Sequence, residues 1–171
     1  MPLERITDDN YHSFKSAENA ILIASLSWCV PCMAYKPVVE VVANEFEGTR
    51  FGEAILDEGG LIKFKLDHNI DATPTTLALK YGKIVFQKSG IFDYDGLSNI
   101  VKGLQTLFST VYIPIGDGNY VAARVEGMRN EGGVALYHLS LLEESSLGHI
   151  GQLGELPKES IVHKKSLKAS M

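Results

Sequence analysis

The spacing of apolar positions divides the N-terminal part of the chain into alternating helices and strands. Ala20 to Ser27 is a short run dense in isoleucine and leucine, which is typical of a strand buried on both faces. Residues 50–57, 77–80 and 84–87 are the other strand candidates, and a hairpin turn at 81–83 is predicted to join the last two. Four strands are therefore expected before residue 90.

Apolar residues at near-helical spacing predict helices over residues 6–17, 33–47 and 93–108, and residues 61–69 are a further candidate. Pro37 lies inside the second of these helices and is expected to kink it, because proline has no amide donor. The predicted order is helix, strand, helix, strand, helix, strand, strand, helix. This order indicates an α/β fold with a mixed central sheet and helices on both faces.

The chain changes character after residue 109. Strands are predicted over 111–115, 120–126 and 134–142, with glycine-rich turns between them, and the lysine-rich residues 158–171 read as a solvated tail. We therefore predict a first domain over 1–109 and a small β-rich C-terminal extension over 110–171. The extension is expected to have a modest apolar face made of Val121, Val125, Val134, Leu136, Leu139 and Leu141.

Composition narrows the class of protein. The 171 residues are 45% hydrophobic and 22% charged, with a formal net charge of −5, which is typical of a globular protein and argues against a general nucleic-acid binder. The longest apolar run, residues 20–24, is too short to cross a bilayer, and the N-terminus has no secretory pattern. We therefore expect no membrane association and a reducing, cytoplasmic location.

The pentapeptide Trp28-Cys29-Val30-Pro31-Cys32 lies between the first buried strand and the helix that follows, and it contains both cysteines of the chain. A pair spaced i, i+3 at a helix start is expected to expose the first sulfur and keep the second within bonding distance. Because a helix N-terminus favours negative charge, the pKa of the Cys29 thiol is expected to fall. A dithiol of this kind can accept a disulfide from another protein.

Three alternatives remain beside this interpretation. The two cysteines could be half of a zinc site, although the chain has no second cysteine pair and its five histidines lack finger-like spacing, so we expect no metal. The pair could also be vestigial in a domain kept for binding. Trp28 could be an ordinary core residue.

Residues 3–108 resemble the thioredoxin family. Trp28 directly precedes the first cysteine, and Pro31 lies between the two cysteines. Further landmarks fall, in order, where the family has its helix kink, its cis-proline loop and a glycine beside its substrate groove; they are Pro37, Thr73-Pro74-Thr75 and Gly90. The resemblance implies the family's three-layer fold for the first domain.

The resemblance also implies a role for each site residue. Cys29 would be the attacking thiolate, and Cys32 would be the resolving thiol that releases the reduced substrate. A cis Pro74 would turn the backbone of Thr73 toward a substrate strand. The other implied substrate-binding residues are Gly90 beside the groove and an apolar rim of Trp28, Val30 and Pro31.

These roles imply a cytoplasmic protein-disulfide reductase that works without a bound cofactor and takes part in electron transport and cell redox homeostasis. Its partners would be disulfide-containing proteins and an electron donor, either a reductase or a small thiol. The alternative is a non-catalytic binding or assembly protein on the same fold, whose residues 110–171 engage a specific partner. Two interpretations of residues 110–171 stay open: a small β appendage that narrows substrate choice, or an interaction module that tethers the redox centre to one assembly.

The chain departs from the family at two positions near the cysteines. Thioredoxins usually bury an acid in the strand before the motif, where this chain has Ile23, and Met33 replaces the lysine that commonly follows the second cysteine. Proton transfer at Cys32 therefore has no obvious protein base. We expect slower resolution with a pH profile unlike that of a typical thioredoxin.

Overall fold

The computed structural model describes residues 3–58, 61, 64–65, 68–116, 119–131, 134–142, 155–157 and 162–163. The chain divides into two compact units, Met1–Gln105 and Thr106–Met171. This division lies close to the boundary expected at 109/110, whose status as a domain boundary stays a prediction.

The first unit contains a five-stranded mixed sheet. Its strands are β1 (Glu4–Arg5), β2 (Asn19–Ser25), β3 (Arg50–Ile55), β4 (Thr75–Lys80) and β5 (Lys83–Ser89), in the spatial order β1-β3-β2-β4-β5. β3 runs parallel to β1 and β2, whereas β4 is antiparallel to β2 and β5. All seven residues of β2 are buried, as its apolar run predicts. β1 was not predicted, because two residues carry no periodic signal.

Three described helices cover the two faces of this sheet: α1 (Asp8–Lys15), α2 (Val30–Glu45) and α3 (Tyr94–Thr106). Neighbouring residues of β2 point to opposite faces. Ile21 and Ile23 therefore pack in one cluster with residues of α2 and α3, and Leu22 packs in the other with Phe14 of α1. The predicted three-layer α/β arrangement is confirmed.

One face of α2 packs on the sheet. Tyr35, Val39 and Val42 are at most 1% exposed, whereas Met33 and Val41 are 58% and 49% exposed. Apolar residues occur on both faces of this helix, so periodicity alone did not fix the side that packs on the sheet. The exposed apolar face of the first turn is therefore available to a partner.

The second unit is an antiparallel sheet of five described strands. They are β6 (Thr110–Gly116), β7 (Asn119–Glu131), β8 (Val134–Leu141), β9 (Glu155–Pro157) and β10 (Val162–His163), in the order β10-β6-β7-β8-β9. β6, β7 and β8 correspond to the three predicted strands. The prediction of a solvated tail is wrong at Val162–His163, which pair with Tyr112 and Val111 of β6. Strands as short as β9 and β10 leave no period in the sequence.

One face of the second sheet is apolar, as expected. Val121, Val125, Leu139 and Leu141 are at most 2% exposed. Leu136 is only half-buried, because alternation along β8 places it on the face opposite Leu139 and Leu141. The side chain of Val134 and residues 62–63 and 66–67 of the helix predicted over 61–69 lie outside the described residues.

The buried phenol of Tyr35 makes the first unit sensitive to alkaline pH. Its hydroxyl lies 3.1 Å from the Thr76 Oγ1, and burial raises the pKa of Tyr35 to about 12. The unfolded value is about 10, so the phenol stabilises the fold fully below pH 10 and this contribution is lost as pH rises through 12. The free energy of unfolding should fall by about 1.4 kcal/mol from this group between pH 8 and pH 11.

Urea unfolding at pH 8 and pH 11 measures this loss. The comparison is between Tyr35→Phe and its parent, both carrying Cys29→Ser and Cys32→Ser so that thiol exchange does not interfere. The Phe variant should lose about 1.4 kcal/mol less than its parent. Equal losses in the two proteins would contradict the buried-phenol explanation.

Candidate active site

Cys29 is the N-cap residue of α2, which directs the unpaired amide groups of the first helical turn toward its side chain. Pro31 lies in that first turn, where a residue without an N–H is tolerated at no cost in hydrogen bonding. No acidic residue occurs in the first turn. The positive end of the helix dipole therefore acts on the sulfur with no carboxylate of the same helical turn opposing it.

Cys29 and Cys32 form a disulfide, with an S–S distance of 2.12 Å and a Cα–Cα distance of 5.3 Å. Cys29 is 5% exposed and Cys32 is 6% exposed. The expectation that the first sulfur is the exposed one is therefore wrong for the disulfide form. Hydrogen bonding, rather than exposure, distinguishes the two cysteines.

The sulfur of Cys29 accepts two hydrogen bonds. The backbone N–H of Cys32 donates to Sγ at 3.2 Å, and the Thr73 hydroxyl donates to the same atom at 3.4 Å. Donors that point at a sulfur stabilise its thiolate over its thiol, which lowers its pKa. We therefore expect the N-terminus of α2 and these two donors to favour ionisation of the Cys29 thiol in the reduced protein.

The loop that leads into Cys29 is held by the carboxylate of Asp57. The backbone N–H of Ser27 donates to this carboxylate at 2.8 Å, and the Ser27 hydroxyl donates as well. These hydrogen bonds hold the pKa of Asp57 below its ordinary value. Asp57 follows β3, so the end of one strand anchors the turn that presents the cysteine pair.

The Thr73–Pro74 peptide bond is cis, as the resemblance implies. The backbone N–H of Gly90 donates to the carbonyl of Pro74 at 2.8 Å, which joins the end of β5 to the loop that contains Thr73. Gly90 has a φ of +108°, a conformation that favours glycine. Cys29, Thr73, Pro74 and Gly90 are therefore brought together as the sequence predicts.

The surface around the cysteine pair is apolar and exposed. Trp28 is 71% exposed and Val30 is 68% exposed, and Pro31 is also exposed, so the alternative of Trp28 as a core residue is wrong. Met33 and Ile91 add further exposed apolar area, at 58% and 52%. Sequence reasoning missed these two, although Met33 directly follows Cys32 and Ile91 directly follows Gly90.

A second feature of the site lies on the Cys32 side. A cavity of about 170 Å³ is lined by Cys32 and by polar and charged groups that include Lys36, Glu53 and Glu58. The Lys36 Nζ lies 3.0 Å from Glu53 Oε2, and the Ser25 hydroxyl donates to Glu53 Oε1 at 2.9 Å. Sequence reasoning missed Glu53, because only the pairing of β2 with β3 places it opposite Ile23.

Comparison with known proteins identifies the class. No protein-family model matches the chain. The chain is 34% identical over 87 residues to a thioredoxin of Chlorobaculum thiosulfatiphilum, a match that covers 49% of this chain and 79% of that protein. It is also 34% identical over 82 residues to the putative thioredoxin H10 of Arabidopsis thaliana, covering 47% of this chain but only 48% of that protein.

The solved structures agree on the fold. A mutant thioredoxin from Halobacterium salinarum matches with a TM-score of 0.55 at 21% identity, over 62% of this chain and 95% of that structure. Fold, disulfide centre and sequence identity define a thioredoxin-fold protein with a Cys-X-X-Cys pair. The chain belongs to the thioredoxin family.

Proposed function

We propose that this chain is a protein-disulfide reductase that works through the Cys29/Cys32 dithiol. The observation that carries the proposal is the Cys29 sulfur, which caps α2 and accepts hydrogen bonds from Cys32 and Thr73. The thioredoxin relatives and the Cys-X-X-Cys pair support the broader class of thiol–disulfide oxidoreductase. The reducing direction is our proposal.

The reaction proceeds in two exchanges. The Cys29 thiolate attacks one sulfur of a substrate disulfide, which forms a mixed disulfide and releases the other substrate sulfur as a thiolate that takes up a proton. Cys32 then loses its proton and attacks the Cys29 sulfur, which releases the second substrate thiol. The substrate disulfide gains two electrons, and the protein dithiol is oxidised to the disulfide present in the structure.

We infer that the substrate docks on a surface formed by Trp28, Val30, Pro31, Thr73, Pro74 and Gly90. The support comes from the exposure of Trp28 and Val30 and from the hydrogen bond that ties Gly90 to the cis-proline loop. An extended substrate segment can pair with the backbone beside a loop of this kind, while apolar contacts add affinity. Trp28 is the main apolar anchor, because exposed tryptophans contribute strongly to interfaces.

Variants of the two cysteines test the reductase. Cys32→Ser should trap substrates as mixed disulfides on Cys29, because the resolving thiol is absent, whereas Cys29→Ser should trap none and lose insulin reduction. The measurement combines an insulin turbidity assay with non-reducing electrophoresis of the trapped species.

The rival binding function makes the opposite prediction for the same variants. A non-catalytic protein would keep its biological function when both cysteines are serine, and it would not reduce insulin in its natural form. Either result would contradict the proposed reductase.

Trp28→Ala tests the docking surface. Removal of the exposed indole should raise the KM for insulin by about tenfold, equivalent to about 1.4 kcal/mol of binding, and leave kcat nearly unchanged. Val41→Ala is the matched control, because Val41 is an exposed apolar residue later in α2. If both variants had the same KM, Trp28 would not be part of the docking surface.

The need for a cofactor, the electron donor, the location and the role of residues 110–171 are also matters of proposal. The proposed exchange needs no bound cofactor, and its electrons would come from a reductase or a small thiol in the cytoplasm. None of the described helices is both long and apolar enough to cross a membrane. We also propose that residues 110–171 select a specific partner, since their sheet is distinct from that of the redox unit.

A further inference from the structure

We propose that Glu53 is the proton acceptor for the Cys32 thiol, reached through the cavity that both residues line, and that Lys36 and Ser25 position its carboxylate. This inference rests on the proposed reductase, because only the resolving exchange requires Cys32 to lose a proton. Glu53 lies on β3, next to β2, where thioredoxins usually carry the acid and this chain has Ile23.

The backbone pairing explains why Glu53 reaches the cysteine side of the sheet. Glu53 on β3 is the register partner of Ile23 on β2, so the two side chains share a face. Ile23 packs against Tyr35 and Val39 of α2, which identifies this face as the one that α2 covers. Cys32 and Lys36 are one turn apart on α2, so they also lie on one side of that helix.

The carboxylate of Glu53 is held from two elements. Lys36 Nζ contacts Oε2 at 3.0 Å, and the Ser25 hydroxyl donates to Oε1 at 2.9 Å. The side chain is 16% exposed, so it is mostly withdrawn from solvent but remains open to the cavity. A carboxylate fixed in this way keeps its orientation and needs no rearrangement before it accepts a proton.

The cavity provides the path between the two groups. The cavity has a volume of about 170 Å³, is lined by both Cys32 and Glu53 and is large enough for water. The other charged groups that line it are Lys36 and Glu58, and Glu58 is paired with Arg5. Both carboxylates are paired with a cation, but Glu58 is 39% exposed whereas Glu53 is 16% exposed and lies on the face that α2 covers, so Glu53 is the better-placed carboxylate.

The proposed step moves one proton and exchanges one disulfide bond for another. In the mixed disulfide the Cys32 S–H bond breaks, and its proton passes through the cavity to the Glu53 carboxylate. The Cys32 sulfur forms a bond to the Cys29 sulfur, and the bond between Cys29 and the substrate breaks. The departing substrate sulfur leaves with the electron pair and is protonated, and Glu53 returns its proton to solvent.

Stopped-flow reduction of 5,5′-dithiobis(2-nitrobenzoate) by an equimolar amount of reduced protein separates the two exchanges. The first thionitrobenzoate release reports attack by Cys29, and the second reports resolution by Cys32. At pH 7, Glu53→Gln should slow the second release by roughly tenfold to a hundredfold. This is at or below the lower end of the rate enhancement that a positioned acid or base contributes. The first release should stay within about twofold of the natural protein.

Two matched controls locate the effect. Glu47→Gln removes an exposed carboxylate just after α2, and Glu58→Gln removes the other carboxylate of the cavity; both should leave the second release unchanged. A normal second release in Glu53→Gln, or equal slowing in Glu58→Gln, would overturn the assignment of Glu53. Absence of the first release in the natural protein would instead overturn the proposed reductase, and this inference with it.

The natural protein supplies a readout that does not depend on the folding of a variant. If Glu53 accepts the proton, the rate of the second release should change by less than about threefold between pH 6 and pH 8, because a positioned protein base removes the need for the thiol to ionise beforehand in solvent. If the thiol must ionise without a protein base, the rate should rise tenfold with each pH unit below the thiol pKa. That slope would overturn the proposal.

Discussion

The chemistry proposed for this protein depends on one contact, the meeting of the N-terminus of α2 with the sulfur of Cys29. The helix starts there because Cys29 itself is the N-cap and because Pro31 is tolerated in the first turn. The amide of Cys32 and the hydroxyl of Thr73 both donate to the same sulfur. In the reduced protein we expect a thiolate at this position to be stabilised by the helix end and by these two donors, since the first turn holds no cationic side chain.

The rest of the first unit serves to bring that helix end and the cis-proline loop together. β2 is buried along its whole length and delivers the chain to the cysteine pair, while β4 begins directly after Pro74 and is paired with β2. The hydrogen bond from Gly90 to Pro74 then fastens the end of β5 to the same loop. Three strands therefore fix the distance between Cys29 and the proposed substrate-binding backbone.

Much of this arrangement could be predicted from the sequence. The order of apolar segments indicates the layers of the fold, and the resemblance of the Cys-X-X-Cys pair and Thr73-Pro74 to the thioredoxin family implies which residues meet at the site. The exposed face of α2 was harder to predict. This helix has apolar residues on both sides, and their periodicity does not show that Met33 is exposed. Strands of two or three residues, such as β1, β9 and β10, leave no pattern to detect.

The role proposed for Glu53 illustrates a different limit of sequence reasoning. Its position opposite Ile23 depends on the pairing of β2 with β3, and its access to Cys32 depends on how α2 covers that face. The lack of an acid at position 23 was visible in the sequence, whereas the position of Glu53, the substitute proposed here, was not. Function at such a site is carried by the position of a group in space, and a neighbouring strand can provide it.

The ionisation of the Cys29 thiol tests this account most directly. Thiolate absorbance at 240 nm can be followed against pH in the reduced Cys32→Ser variant, which keeps the backbone N–H that donates to the sulfur. We predict a pKa well below the value of about 8.5 of a free cysteine. A titration that matches free cysteine would contradict the central role of the helix end.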